Sequence, residues 1–106
     1  MKNKYIYIVQ EYTDRDDYRI TTLGYYSSVE KAIDCIVKCY TLLKAYLKEW
    51  GNSDVTALTI ARIELDNEED SIREYGLYNK LHSYDPLVSE QPSEWDRLRE
   101  ENPDEK

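Results

Sequence analysis

Ten carboxylates in the C-terminal two-fifths of this chain have the types and spacing to do chemistry, and that chemistry is the recognition of positive charge. They are Glu64, Asp66, Glu68, Glu69, Asp70 and Glu74, followed by Glu94, Asp96, Glu100 and Glu101. Residues 64–106 hold five Lys/Arg against fourteen Asp/Glu, a net of −9. Residues 1–63 hold nine against eight, a net of +1, and the two halves sum to the −8 of the whole chain. Carboxylates set along a strand and a helix can stand in for phosphates and steer a basic surface toward themselves. The same field repels nucleic acid and anionic lipid, so neither is an expected direct partner.

Other chemistry is poorly supplied. An enzyme needs a nucleophile, base or acid converging on one place. His82 is the single histidine, in the loop-like run Leu81-His82-Ser83-Tyr84. Cys35 and Cys39 fall inside a helical pattern, away from the helix N-terminus that would lower a thiol pKa. A disulfide between them would strain the helix, so they read as free thiols in a reducing cytoplasm. A metal bound there would need two further ligands, and the chain has no third cysteine. The clusters Asp14-Arg15-Asp16-Asp17 and Asp66-Asn67-Glu68-Glu69-Asp70 lack the glycine and spacing of a calcium loop. Three isolated glycines build no phosphate loop. The expectation is a protein without enzymatic activity, cofactor or metal.

The elements that must position the carboxylates follow from periodicity. Tyr5-Ile6-Tyr7-Ile8-Val9 is apolar on both faces, which predicts a central strand covered on both sides. The polar turn 14–17 leads to a second strand, Tyr18 to Tyr26, with Gly24 marking a bulge or close approach. Ser27 as N-cap with Glu30 three residues later forms a capping box. The helix it opens runs to Trp50 and stops at Gly51. Thr56 to Leu65 forms a third strand, its imperfect alternation implying a bulge near Ala61-Arg62 or burial on both faces. Ile72 to Tyr78 can pair with it as a fourth strand. Ser93 to Glu101 reads as a short helix anchored by Trp95 and Leu98.

Successive positions 100° apart put Val29, Ala32, Ile33, Ile36, Tyr40, Leu43, Leu47 and Trp50 in one stripe, wide enough to pack on a sheet. Cys35, Cys39, Leu42 and Tyr46 form a second apolar stripe beside it. Its cover is either the C-terminal segment, through Tyr75, Leu77, Tyr78, Leu81 and Trp95, or a second copy in a homodimer.

The expected fold class is α+β. An antiparallel three- to four-stranded sheet, order 2-1-3 with the fourth strand added, packs on one long helix, and a short C-terminal helix follows. One domain spans residues 1–101, with a core of 4–66 and an acidic appended segment of 67–101. Residues 102–106 are expected to be a disordered tail. No stretch approaches the ~20 apolar residues of a membrane span. No signal-peptide pattern follows Met1-Lys2-Asn3-Lys4, so the cytoplasm is the expected location.

The Tyr5–Glu11 strand, the Leu23-Gly24-Tyr25-Tyr26-Ser27-Ser28 segment and the Glu30-Lys31-Ala32 helix start together resemble the small, uncharacterised β-β-α-β domains common in bacterial and phage genomes. The resemblance covers about residues 4–66 and implies no catalytic residues. The functional expectation rests on the acidic segment instead. It is a small module occupying a basic, nucleic-acid-binding surface of another protein, as a phage-type inhibitor, antitoxin or immunity protein does. The alternative is a self-associating structural or scaffolding domain with no ligand, joined through Cys35, Cys39, Leu42 and Tyr46.

Overall fold

β1 (Tyr5–Thr13) pairs antiparallel with β2 (Arg19–Tyr26) on one side and with β3 (Val55–Glu64) on the other. β4 (Ile72–Asn79) adds antiparallel to β3, giving the sheet order β2-β1-β3-β4. The computed structural model describes residues 5–14, 19–65, 72–82 and 85–103. The fourth strand therefore forms, and the most apolar strand is central, as its composition implies.

α1 (Val29–Trp50) makes the crossover from β2 to β3. Its N-cap is Ser28 rather than Ser27. The Ser28 side chain accepts from the Lys31 amide at 3.2 Å, which moves Glu30 inside the first turn and leaves no capping box. Gly51 ends the helix in the left-handed conformation (φ 84°), with its amide donating to the Leu47 carbonyl at 2.8 Å. A four-residue helix, α2 (Pro86–Ser89), and α3 (Pro92–Glu101) complete the order. α2 was not legible as a helix, being a single turn.

Alternation assigns the two faces of the sheet. Tyr7 and Val9 of β1, Leu58 and Ile60 of β3, and Tyr75 and Tyr78 of β4 belong to one core with Val29, Ala32 and Ile36 of α1. Trp95 and Leu98 of α3 join the same core. β4 places both Tyr75 and Tyr78 on this face because its register against β3 shifts between Leu58 and Ile60. That shift replaces the bulge expected at Ala61-Arg62. Leu58 to Ala61 are all buried, so the imperfect alternation of β3 reflects burial on both faces. A second shift, opposite Val9/Gln10, leaves Leu23 without a partner beside Gly24. A Cβ at Gly24 would come within 2.6 Å of the Tyr26 hydroxyl, the close approach its position implied.

The other face carries Ile6, Ile8 and Tyr12 of β1, with Tyr25, Ile63 and Ile72 beside them in register. Neither α1 nor α3 packs on it. The cover expected on both sides of β1 is thus supplied by α1 and α3 on one side only.

Candidate functional site

α3 is positioned by three anchors, and its polar face is what they leave outside. Trp95 and Leu98 enter the core, and Trp95 meets the Tyr78 ring edge-on at 5.9 Å. Tyr78 in turn stacks on Tyr40 of α1 with centroids 3.9 Å apart. The third anchor is Asn102, just past the helix end, which is 7% exposed. Its Oδ1 accepts from the Tyr7 hydroxyl at 3.0 Å and from Arg62 Nη1 at 2.7 Å. Its Nδ2 donates to the Tyr75 hydroxyl at 3.1 Å and to the Leu98 carbonyl at 2.9 Å. Residue 102, expected to begin a tail, instead ties three strands to the end of α3. Residues 104–106 of that expected tail lie outside the described residues.

Glu101 belongs to this lock. Its Oε1 accepts from the Tyr75 hydroxyl at 2.8 Å and pairs with Arg73 at 3.2 Å. The Tyr75 hydrogen bond, helped by Arg73, Arg97 and Arg62, holds its carboxyl below the usual value of 4.5. Burial pushes the Tyr75 hydroxyl the other way, upward.

The two arginines of α3 are also occupied. Arg97 lies over the Tyr75 ring, 4.9 Å from its centroid, and faces Glu94 at 3.1 Å across one turn. Arg99 lies over Trp95 at 5.1 Å. Asp96 and Glu100, four residues apart on one face, are both exposed, and no ion pair engages either among the described residues. Like charges at that spacing weaken a helix slightly, so the ridge they form is not there for helix stability.

Beside this ridge a groove of about 410 Å³ separates α1 from α3. Tyr78 and Trp95 form its floor, Ile33 and Val37 its α1 wall, and Glu90, Asp96 and Arg99 its rim. Burial, then the Glu90 carboxylate, pushes the Tyr78 hydroxyl up to about 12. The buried Trp95 Nε1 has no hydrogen-bond partner in the described structure. Glu90 was not among the sequence candidates. An isolated bridge to Tyr78 places it at the rim, a pairing no local pattern announces.

The remaining candidates separate. Glu74 stands on the sheet face opposite the helices and accepts a hydrogen bond from the Tyr12 hydroxyl. Glu64 ends β3, half-buried and already partnered. Asp66, Glu68, Glu69 and Asp70 lie outside the described residues. Among the described residues no group of three or more His, Cys, Asp or Glu is placed to hold a metal ion.

The second stripe of α1 splits in two. Cys35 and Cys39 pack against the core beside Tyr26, and the Cys35 thiol holds a hydrogen bond that raises the Tyr26 hydroxyl. Desolvation first, and Cys35 second, pushes the Cys39 thiol up to about 11, so it is a poor nucleophile. Leu42 and Tyr46 stay 65% and 51% exposed, next to Trp50 at 64%. The C-terminal segment buries Tyr75, Leu77, Tyr78, Leu81 and Trp95 as anticipated, but against the Ile33–Tyr40 flank instead of this stripe. β2 already occupies the cysteine side.

Comparison with family models, curated proteins and solved structures finds no match. What the site can do is therefore argued from its own geometry. No helix among the described residues is long and apolar enough to cross a membrane.

Proposed function

We propose that this protein is a small acidic protein-binding module that seats on a basic, nucleic-acid-binding surface of another protein. The observation carrying this reading is the asymmetry of α3. Its arginines are held on Tyr75 and Trp95, while Asp96 and Glu100 project outward beside the Glu90-rimmed groove. A basic side chain from the partner meets carboxylates there, and its aliphatic stem lies on the apolar wall of the groove. The role fits an inhibitor, antitoxin or immunity protein better than a catalyst, because two of the nucleophilic and acidic candidates are withdrawn into the fold and His82 stands exposed in a turn. Cys39 is kept protonated and Glu101 is consumed by the Asn102 lock.

The test is capture from a host lysate with the full chain, identification of the captured protein, and direct titration of the purified pair. The expected partner has an excess of Lys and Arg, and binding weakens as salt rises. Asp96→Lys with Glu100→Lys is expected to weaken it about tenfold or more, about 1.4 kcal/mol. A captured partner that binds equally well at low and high salt would exclude the reading. A second reading, self-association, has its own support in the apolar surface left uncovered on α1 and on the sheet.

A further inference from the structure

The sheet face turned away from α1 and α3 is the largest feature the acidic site leaves unused. Its outer residues are exposed, Tyr25 at 68% and Ile72 at 60%, with Ile6, Ile8 and Ile63 half-buried between them. Among the described residues the register puts one charged group on this face, Glu74, and that carboxylate is bonded to Tyr12. In a chain of net −8, a face so depleted of charge offers nothing to a basic partner. The polar side chains that share the face, Gln10, Thr22, Thr59 and Asn79, are all uncharged, and Thr59 is buried.

We propose that this face is a homodimer interface, two copies packing sheet on sheet through Ile6, Ile8, Tyr25, Ile63 and Ile72. The area is sufficient. Four strands about 4.8 Å apart and about eight residues long, at about 3.3 Å each, present roughly 500 Å². Two such faces bury about 1,000 Å², the lower bound for a specific interface. Aligned packing of twisted sheets, about 30° apart, faces Ile6, Ile63 and Ile72 at one end of each copy toward Tyr12 and Ile20 at the other end of its partner, with Ile8 and Tyr25 nearer the axis.

Charge selects a second copy as the occupant. The α3 ridges lie on the far layer of each protomer, at least a sheet and a helix away, beyond the Debye length of about 8 Å at physiological salt. A two-fold axis running across the strands sets the two β3–β4 ends at opposite ends of the interface. The dimer then displays two acidic ridges on opposite sides, and a partner with two basic patches gains from bivalent binding. The inference does not depend on the proposed partner, because association through this face is driven by apolar burial and persists at high salt.

Sedimentation equilibrium of the full chain tests it. The expected result is a species of twice 12.6 kDa in both low and high salt. Tyr25→Lys with Ile72→Lys, both at exposed positions, is expected to give a folded monomer by circular dichroism, with self-association weakened at least a hundredfold. If the pair disturbs folding, Tyr25→Lys alone repeats the test at the most exposed position. Leu42→Glu on α1 is expected to leave the dimer intact. A monomeric wild-type chain at high concentration overturns the proposal. So does a dimer that survives the lysine substitutions and dissolves with Leu42→Glu, which assigns association to the helix stripe.

Discussion

Replacing Asn102 with alanine removes the Oδ1 acceptor of the Tyr7 hydroxyl and the donor to Tyr75, and leaves Arg62 Nη1 with the Glu101 carbonyl alone. Unmade buried hydrogen bonds cost about 1–3 kcal/mol each, so the expected loss is about 2–4 kcal/mol, read by urea unfolding. Nothing in the sequence marks Asn102 for this role. It sits after a short polar helix, and its partners are 95, 40 and 27 residues away. The titrating residues give a pH signature. Glu101 has a lowered folded pKa, so its contribution is present above 4.5 and lost as pH falls below that value. Tyr78 and Cys39 are raised, from 10 to about 12 and from 9 to about 11. Their contributions hold below the unfolded values and disappear as pH rises through the folded ones. Burial pushes the Glu11 carboxyl up, which opposes Glu101 near pH 4.5, so the clear expectation is a fall in unfolding midpoint between pH 9 and 12.

At the scale of elements, α3 is expected to be the first to detach. Its hold on the sheet is concentrated in Trp95, Leu98 and the Asn102 lock, whereas α1 spans three strands. Trp95→Ala removes the edge contact with Tyr78 and the platform under Arg99. It is expected to cost about 3–5 kcal/mol and to raise the hydrogen exchange of residues 92–101 above that of α1. β1 to β3, α1 and the short α3 were legible because each carries its own periodicity, and α1 its stop signal at Gly51. β4 was less so, because Gly76 interrupts its pattern. The cap slipped by one residue because Ser27 and Ser28 are chemically equivalent, and only Ser28 reaches the Lys31 amide. The destination of the C-terminal aromatics was not legible. Helical spacing shows which residues seek cover but not which flank an edge strand has already taken, and here β2 takes the cysteine flank.

The whole molecule divides its surface by chemistry: a helical layer whose outer helix turns carboxylates to solvent, and a sheet layer whose free face is nearly uncharged. The charge asymmetry was readable from composition, and so was the apolar character of both sides of β1. The site itself was readable only in part. Asp96 and Glu100 stand where a partner can reach them, while Glu101, Glu94 and Glu74 have intramolecular partners that no one-dimensional pattern reveals. The account rests on the proposal that the outward carboxylates of α3 recognise a basic protein surface. Calorimetric titration of the captured partner into wild-type protein and into the Asp96→Lys, Glu100→Lys variant, each at low and high salt, tests this most directly. The account predicts a dissociation constant that rises at least tenfold with salt for the wild type, and weak binding for the variant under both conditions. Equal affinities across all four titrations would contradict it.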